Sequence, residues 1–158
     1  KYVRVTISDD ITGTEFAAML KNCYAIAAGI AHGLGYGDNF MSILMSNSIR
    51  EMKKFIDSIT KVDRNINNSA YLGDLLVSGY SSFSRNRRLG VMLGKGYDIK
   101  SILLEMNMIA EGYYGSKSAF QINKKFNLNI PILEAVHSII YKKTNAKKVF
   151  KRLESALD

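Results

Sequence analysis

Residues 12–31 read Thr12-Gly13-Thr14-Glu15-Phe16-Ala17-Ala18-Met19-Leu20-Lys21-Asn22-Cys23-Tyr24-Ala25-Ile26-Ala27-Ala28-Gly29-Ile30-Ala31. From Phe16 onward the stretch is apolar or small on every side. Such a segment is predicted to be a helix running through the centre of a domain rather than across its surface. Thr12 and Glu15 have the spacing of a capping box, which places the start of the helix there. Gly33, Gly35 and Gly37 are predicted to break it after about Ala31.

Beyond this helix the chain reads as further helices. Asp38 or Asn39 can cap a second one to about Ile59, with Met41, Leu44, Ile49, Met52 and Ile56 at helical spacing. A polar loop containing Asp63 to Ser69 precedes a short apolar segment around Tyr71–Val77. Ser84 caps a helix through Gly94, and Asp98 one to about Met106. Glu111-Gly112 precede another, to about Phe126; Pro131 suits the first turn of the next, and Thr144 begins the last. Seven or eight helices without a repeat period predict an all-α domain over residues 11–158. Residues 1–10 differ, because Tyr2, Arg4 and Thr6 alternate with Val3, Val5 and Ile7 in a strand-like pattern that Asp9-Asp10 end. No partner strand follows, and a lone strand leaves its backbone groups unpaired. Residues 1–10 are therefore expected to be the last strand of a domain lying upstream, the chain beginning at Lys1 rather than Met.

Composition narrows the class. The length of 158 residues fits one domain, with 47% hydrophobic and 23% charged residues, as in globular proteins. The single cysteine, Cys23, cannot form an intramolecular disulfide, which favours a reducing compartment such as the cytoplasm. The longest nearly uncharged run, Phe16 to Ala31, is interrupted by Lys21 and is shorter than the ~20 apolar residues of a spanning helix, so no membrane span is expected. Net charge is +8, with Lys142, Lys143, Lys147, Lys148, Lys151 and Arg152 free of any acid among them. A solvated face of a terminal helix is the simpler reading of that run; a helical module binding nucleic acid is the alternative.

Three features carry chemistry. Lys21 is the only charge in the central helix, and burying an ammonium without a partner is costly. It either snorkels to the surface or faces a cleft, where its proton is available for acid–base work. Asp74, in Tyr71-Leu72-Gly73-Asp74-Leu75-Leu76-Val77, is likewise a lone charge among apolar residues. It can cap a helix, or supply the partner that Lys21 requires. Ser84-Arg85-Asn86-Arg87-Arg88 places a capping serine and arginines at a helix start, where free amides and guanidinium forks suit a phosphate. Arginines there oppose the helix dipole, a conflict that a bound anion removes. Gly33-x-Gly35-x-Gly37 is no dinucleotide fingerprint, since it follows a helix rather than a strand. His32 and His137 lack companions at metal-ligand spacing, so no metal is expected, and Cys23 reads as a small core residue.

Taken in order, these segments resemble the bacterial NAD(P)-dependent glycerol-3-phosphate dehydrogenases. Thr14 to Asn22 with Ala25-Ile26-Ala27-Ala28-Gly29-Ile30 is similar to that family's lysine-bearing helix, and Gly33-Leu34-Gly35-Tyr36-Gly37-Asp38-Asn39 to its next turn. Leu72-Gly73-Asp74-Leu75 resembles its Gly-Leu-Gly-Asp-Leu segment, Ser84-Arg85-Asn86-Arg87 its Ser-Arg-Asn-Arg motif; Glu111-Gly112 and Pro131-Ile132-x-Glu134-Ala135-Val136 complete the order. The resemblance implies the helical fold of the C-terminal domain of 6-phosphogluconate dehydrogenase-like enzymes. It implies interconversion of dihydroxyacetone phosphate and sn-glycerol 3-phosphate, as in phospholipid-precursor metabolism. NAD or NADP would be bound mainly by an N-terminal domain upstream, and the fragment alone is expected to be inactive. Lys21 matches the proton-transfer lysine, with Asp74, Ser84, Arg85 and Asn86 at substrate positions and Arg85, Ile109 and Glu111 at positions contacting the nicotinamide cofactor. A related hydroxyacid or phosphosugar dehydrogenase is the alternative. Implied partners are the small substrate, the chain's own N-terminal domain and, through apolar helical faces, a second copy in a homodimer. Two departures stand out: Tyr71 occupies a position where the family has a small residue, and Val77-Ser78 replaces its Thr-Cys.

Overall fold

The computed structural model describes residue 5 and residues 7–158. The strand expected over residues 1–10 lies largely outside the described residues; Val5 and residues 7–10 carry no regular secondary structure. All regular elements among the described residues are helical, as predicted. Eight α-helices follow in order: α1 Ile11–Leu34, α2 Asp38–Ile59, α3 Asp74–Tyr80, α4 Arg85–Gly94, α5 Ile99–Glu105, α6 Glu111–Phe126, α7 Pro131–Tyr141 and α8 Ala146–Leu153. A π-helical turn, Ser69–Gly73, leads directly into α3.

α1 is the axis of the domain. Cys23 to Ala31 form an unbroken buried run, and α3, α4, α6 and α7 pack around it. Burying side chains such as Leu20, Ile26 and Ile30 contributes roughly 1.5–3 kcal/mol each. The start of α1 departs from the capping-box expectation. Its N-cap is Asp10, whose carboxylate accepts from the Gly13 amide at 3.0 Å, while Thr12 and Glu15 are exposed. A carboxylate outranks a hydroxyl here because Asp10 is also fixed from outside the helix, as described below.

The helix does not break at Gly33; it runs on to Leu34, and Gly35, at φ 90°, forms the left-handed C-cap. Gly33 is instead a packing residue. A Cβ on Gly29 would sit 2.0 Å from the Arg87 carbonyl oxygen, and one on Gly33 2.4 Å from that of Val91. On α4, a Cβ on Gly90 would meet the Ile26 oxygen at 2.1 Å, and one on Gly94 the Ile30 oxygen at 2.5 Å. Two glycine pairs four residues apart thus let α1 and α4 lie backbone against backbone, running in the same direction. Gly112, at the start of α6, approaches the Asn22 carbonyl in the same way. Packed in this way, α4 sets its start beside the middle of α1, where Gly112 also brings the start of α6.

The remaining caps follow local chemistry. Ser84 accepts from the Arg87 amide at 3.2 Å, Asp98 from Lys100 and Ser101, and Asn145, rather than Thr144, from Lys148. α2 starts after Gly37, which makes no side-chain cap. At α7, with Pro131 in its first turn, the cap comes from another helix: Glu51 of α2 accepts from the Ile132 and Leu133 amides at 2.7 and 3.3 Å. Burial nevertheless pushes the Glu51 carboxyl up to about 7. On α8 the buried residues are Phe150 and Leu153, while Lys147, Lys148, Lys151 and Arg152 face solvent. None of the helices among the described residues is long and apolar enough to cross a membrane.

Candidate active site

Lys21 leaves α1 just before its fully buried run begins. Its Nζ donates to Asp74 Oδ2 at 2.6 Å, and the side chains remain 22% and 40% exposed. Of the two readings of Lys21, the structure therefore shows the cleft-facing one, with Asp74 as partner. Asp74 is the first residue of α3, delivered by the π-helical turn.

The pair forms one wall of a cleft of about 380 Å³. Ser84, Arg85 and Asn86 at the start of α4 and Glu111 at the start of α6 line the same cleft. Ser84 occupies one amide of α4's first turn, and no acidic side chain lies in that turn. The remaining first-turn amides and the exposed Arg85 guanidinium offer donors to an anion at this end of the cleft, beside the Glu111 carboxylate. Arg87 and Arg88, expected to join Arg85, do not line the cleft. Successive helical residues point roughly 100° apart, so Arg88 turns toward Glu105, 3.9 Å away, and Arg87 packs with its Nε buried and without a hydrogen-bond partner among the described residues.

A chain of amides fixes the geometry. The Gly112 amide donates to Asn86 Oδ1 at 2.8 Å, Asn86 Nδ2 to Asn22 Oδ1 at 2.8 Å, and Asn22 Nδ2 to Glu111 Oε2 at 3.0 Å. Asn86 is buried and two of its polar groups are engaged, so it ties α4 and α6 to α1 at the cleft floor. Asn22 was not singled out from the sequence as a site residue. Its only signal there was an amide beside Lys21 in an otherwise apolar helix.

Ile109 is exposed and stands outside the lining of the cleft, two residues before Glu111; Arg85 Nη1 approaches the neighbouring Met108 Sδ at 3.0 Å. Arg85 and Glu111 thus bring two charged groups to the cleft, with Met108 against Arg85 and exposed Ile109 close to Glu111 in sequence. Tyr71, the bulky departure, does not enter the cleft. It is buried and donates to Asp10 Oδ2 at 2.6 Å. Val77 and Ser78 do line it, as does Phe83, which is 95% exposed. Cys23 is buried, its thiol pushed up to about 12 by desolvation, which leaves it without nucleophilic character.

Residues 10–151 match the family model described as the C-terminus of NAD-dependent glycerol-3-phosphate dehydrogenase. The chain belongs to this family. It is 39% identical over 150 residues to glycerol-3-phosphate dehydrogenase [NAD(P)+] of Fusobacterium nucleatum, covering 95% of this chain and 45% of that protein. Against the Bacillus subtilis protein of the same name it is 38% identical over 154 residues, covering 98% of this chain and 44% of the relative. The crystal structure of glycerol-3-phosphate dehydrogenase from Coxiella burnetii superposes with a TM-score of 0.91 at 29% identity, over 97% of this chain and 47% of that one. The domain thus spans a little under half the length of these relatives.

Proposed function

We propose that this domain is the substrate-binding and proton-transferring half of an NAD(P)-dependent dehydrogenase that interconverts dihydroxyacetone phosphate and sn-glycerol 3-phosphate. One observation carries the reading: a lysine held by a carboxylate lines the same small cleft as a helix start that offers free amides and an arginine. A phosphorylated three-carbon ketone presents those two chemistries in one molecule, a phosphate dianion and a polarisable carbonyl.

The first-turn amides of α4 and the Arg85 fork suit the phosphate and orient the substrate, while Lys21 Nζ faces the carbonyl end. Reduction of a ketone builds negative charge on its oxygen. The Lys21 ammonium stabilises that charge and donates the proton; in the reverse direction its neutral amine accepts it. Asp74 holds Nζ in place through the transfer, and the Asn86–Asn22–Glu111 chain keeps the two ends of the cleft in register. Arg85, Met108, Ile109 and Glu111 suit the nicotinamide end of a dinucleotide, offering apolar side chains as well as polar groups. When bound, that cofactor supplies or takes up the hydride.

The length of the relatives supports a further domain upstream, completing the cofactor site. On that reading the 158-residue chain alone has no dehydrogenase activity, and a reducing cytoplasm suits its one buried, free cysteine. The test is oxidation of NADH and NADPH by the full-length protein on adding dihydroxyacetone phosphate, with unphosphorylated dihydroxyacetone alongside. Rapid oxidation with the phosphorylated ketone and almost none with the other supports the assignment. A well-folded protein that leaves both cofactors untouched, or that prefers another phosphosugar or a hydroxyacid, refutes it.

A further inference from the structure

We propose that Asp10, Arg64 and Tyr71 are positioning residues that hold the π-helical turn in the form that aims Asp74 at Lys21. The proposal rests on the assignment of Lys21 and Asp74 as the proton-transfer pair and adds what sets their geometry.

Residues 60–68, between α2 and the π-helical turn, have no regular secondary structure beyond a short turn, and most of them are exposed. Arg64 is the exception, its side chain only 2% exposed. Its Nε donates to Asp10 Oδ2 at 2.7 Å, and its Nη groups reach Asp57 Oδ1 and the Thr60 carbonyl. The Tyr71 hydroxyl donates to the same Asp10 oxygen, from the middle of the π-helical turn. Asp10 is at once the N-cap of α1. One carboxylate therefore joins the start of the central helix to the loop and to the turn that precedes Asp74.

The consequence follows from helix geometry. Lys21 lies eleven residues after Asp10, close to three turns along α1, on the same face and roughly 16 Å away. The segment carrying Asp74 is thus tied to α1 twice, once through Asp10 and once through Lys21. A π-helical turn holds one residue more than an α-helical turn and is intrinsically unfavourable, so tertiary contacts must maintain it. Relaxation to α-helical register would swing the residues after it by roughly 100° and carry the Asp74 carboxylate off Nζ. Tyr71 is buried inside that turn, and among the described residues its hydroxyl donates to Asp10.

Tyr71→Phe in the full-length protein removes the hydroxyl and keeps the ring. The expected result is a fall of about tenfold in kcat with dihydroxyacetone phosphate and a KM within about twofold, the size of effect expected for one buried hydrogen bond. Lys21 should at the same time react faster with acetic anhydride, read by mass spectrometry, while the other lysines label as before. In an Asp74→Asn background the Tyr71→Phe change should have no further effect on kcat, since the group it positions is already gone. Unchanged kcat and unchanged Lys21 labelling in Tyr71→Phe, whatever the change in melting temperature, would overturn the proposal and leave Tyr71 a purely structural residue. Full turnover in Asp74→Asn alone would count instead against the proton-transfer pair, and the labelling result would still decide the positioning.

Discussion

Two ion pairs, one at the N-cap of α1 and one in its middle, join that helix to residues 64–74, with nearly equal distances and different surroundings. Lys21–Asp74 measures 2.6 Å with side chains 22% and 40% exposed; Arg64–Asp10 measures 2.7 Å with side chains 2% and 6% exposed. At Asp10 the carboxylate is saturated by Arg64, Tyr71 and the Gly13 amide, which together hold it down at about 2. At Lys21 an ammonium with three protons has one carboxylate partner and an open cleft before it. On the proposed function, the difference separates a fastening from a working group. A pair whose capacity is used up inside the protein can only hold it together, while a pair with capacity left over can act on something else.

The comparison is broken most severely at Asp10. Asp10→Ala leaves buried Arg64 with Asp57 as its remaining carboxylate and removes the cap of α1, with an expected loss of roughly 2–4 kcal/mol in chemical denaturation. The sign of its pH dependence follows from a carboxyl whose folded pKa is depressed. Its stabilisation is present above about 3.8, the unfolded value, and is lost as pH falls through about 2. Little loss of stability in Asp10→Ala would mean that this network does not fasten the helix.

Gly29→Ala disturbs the open pair without touching the buried one. The new Cβ would stand 2.0 Å from the Arg87 backbone oxygen, so α4 must move away from α1. A stability loss of roughly 1–3 kcal/mol is expected, together with weaker binding of the phosphorylated substrate as the Ser84–Asn86 end of the cleft shifts. Unchanged KM and melting temperature would show that the two backbones are not as close as described.

Glu51 sharpens the comparison, because it is a buried carboxylate with no cation paired to it among the described residues. Its folded pKa is raised from 4.5 to about 7, chiefly by desolvation, so its contribution is fully present below about 4.5 and is lost as pH rises through about 7. Stability of the parent minus that of Glu51→Gln should therefore fall across this window, by on the order of 2 kcal/mol. A flat difference would mean that Glu51 is not desolvated at the start of α7. The smallest effect is expected at Arg88→Ala. This residue pairs with Glu105 at 3.9 Å on the surface, where such contacts contribute roughly 0–0.5 kcal/mol. A loss above about 1 kcal/mol would assign Arg88 a further contact.

What the sequence disclosed follows the range of the forces involved. The starts at Ser84, Asp98 and Pro131 were legible because capping chemistry acts within three or four residues. The central position of α1 was legible because its apolar character has no solvent face. Gly33 was misread as a breaker since its role depends on Val91 and Gly94, some sixty residues away. The cap at Asp10 was missed because what makes it superior to Thr12 lies at Arg64 and Tyr71. Tyr71 stands out in the sequence only as a bulky residue where the family has a small one, and its bond to Asp10 shows that it points away from the cleft. Lys21, Asp74 and Ser84-Arg85-Asn86 could be named as candidates because each is a polar residue out of keeping with its setting. Asn22 and the paths of Arg87 and Arg88 needed the helix phases.

The most direct measurement is on Lys21→Met in the full-length protein, reading dihydroxyacetone phosphate reduction and thermal unfolding on the same sample. The expected result is a loss of roughly a thousandfold in turnover, within the range for removal of a general acid that also stabilises the developing charge, with a melting temperature within a few degrees of the parent. A folded variant that keeps most of its turnover would contradict the central claim and leave Lys21–Asp74 a second fastening like Arg64–Asp10.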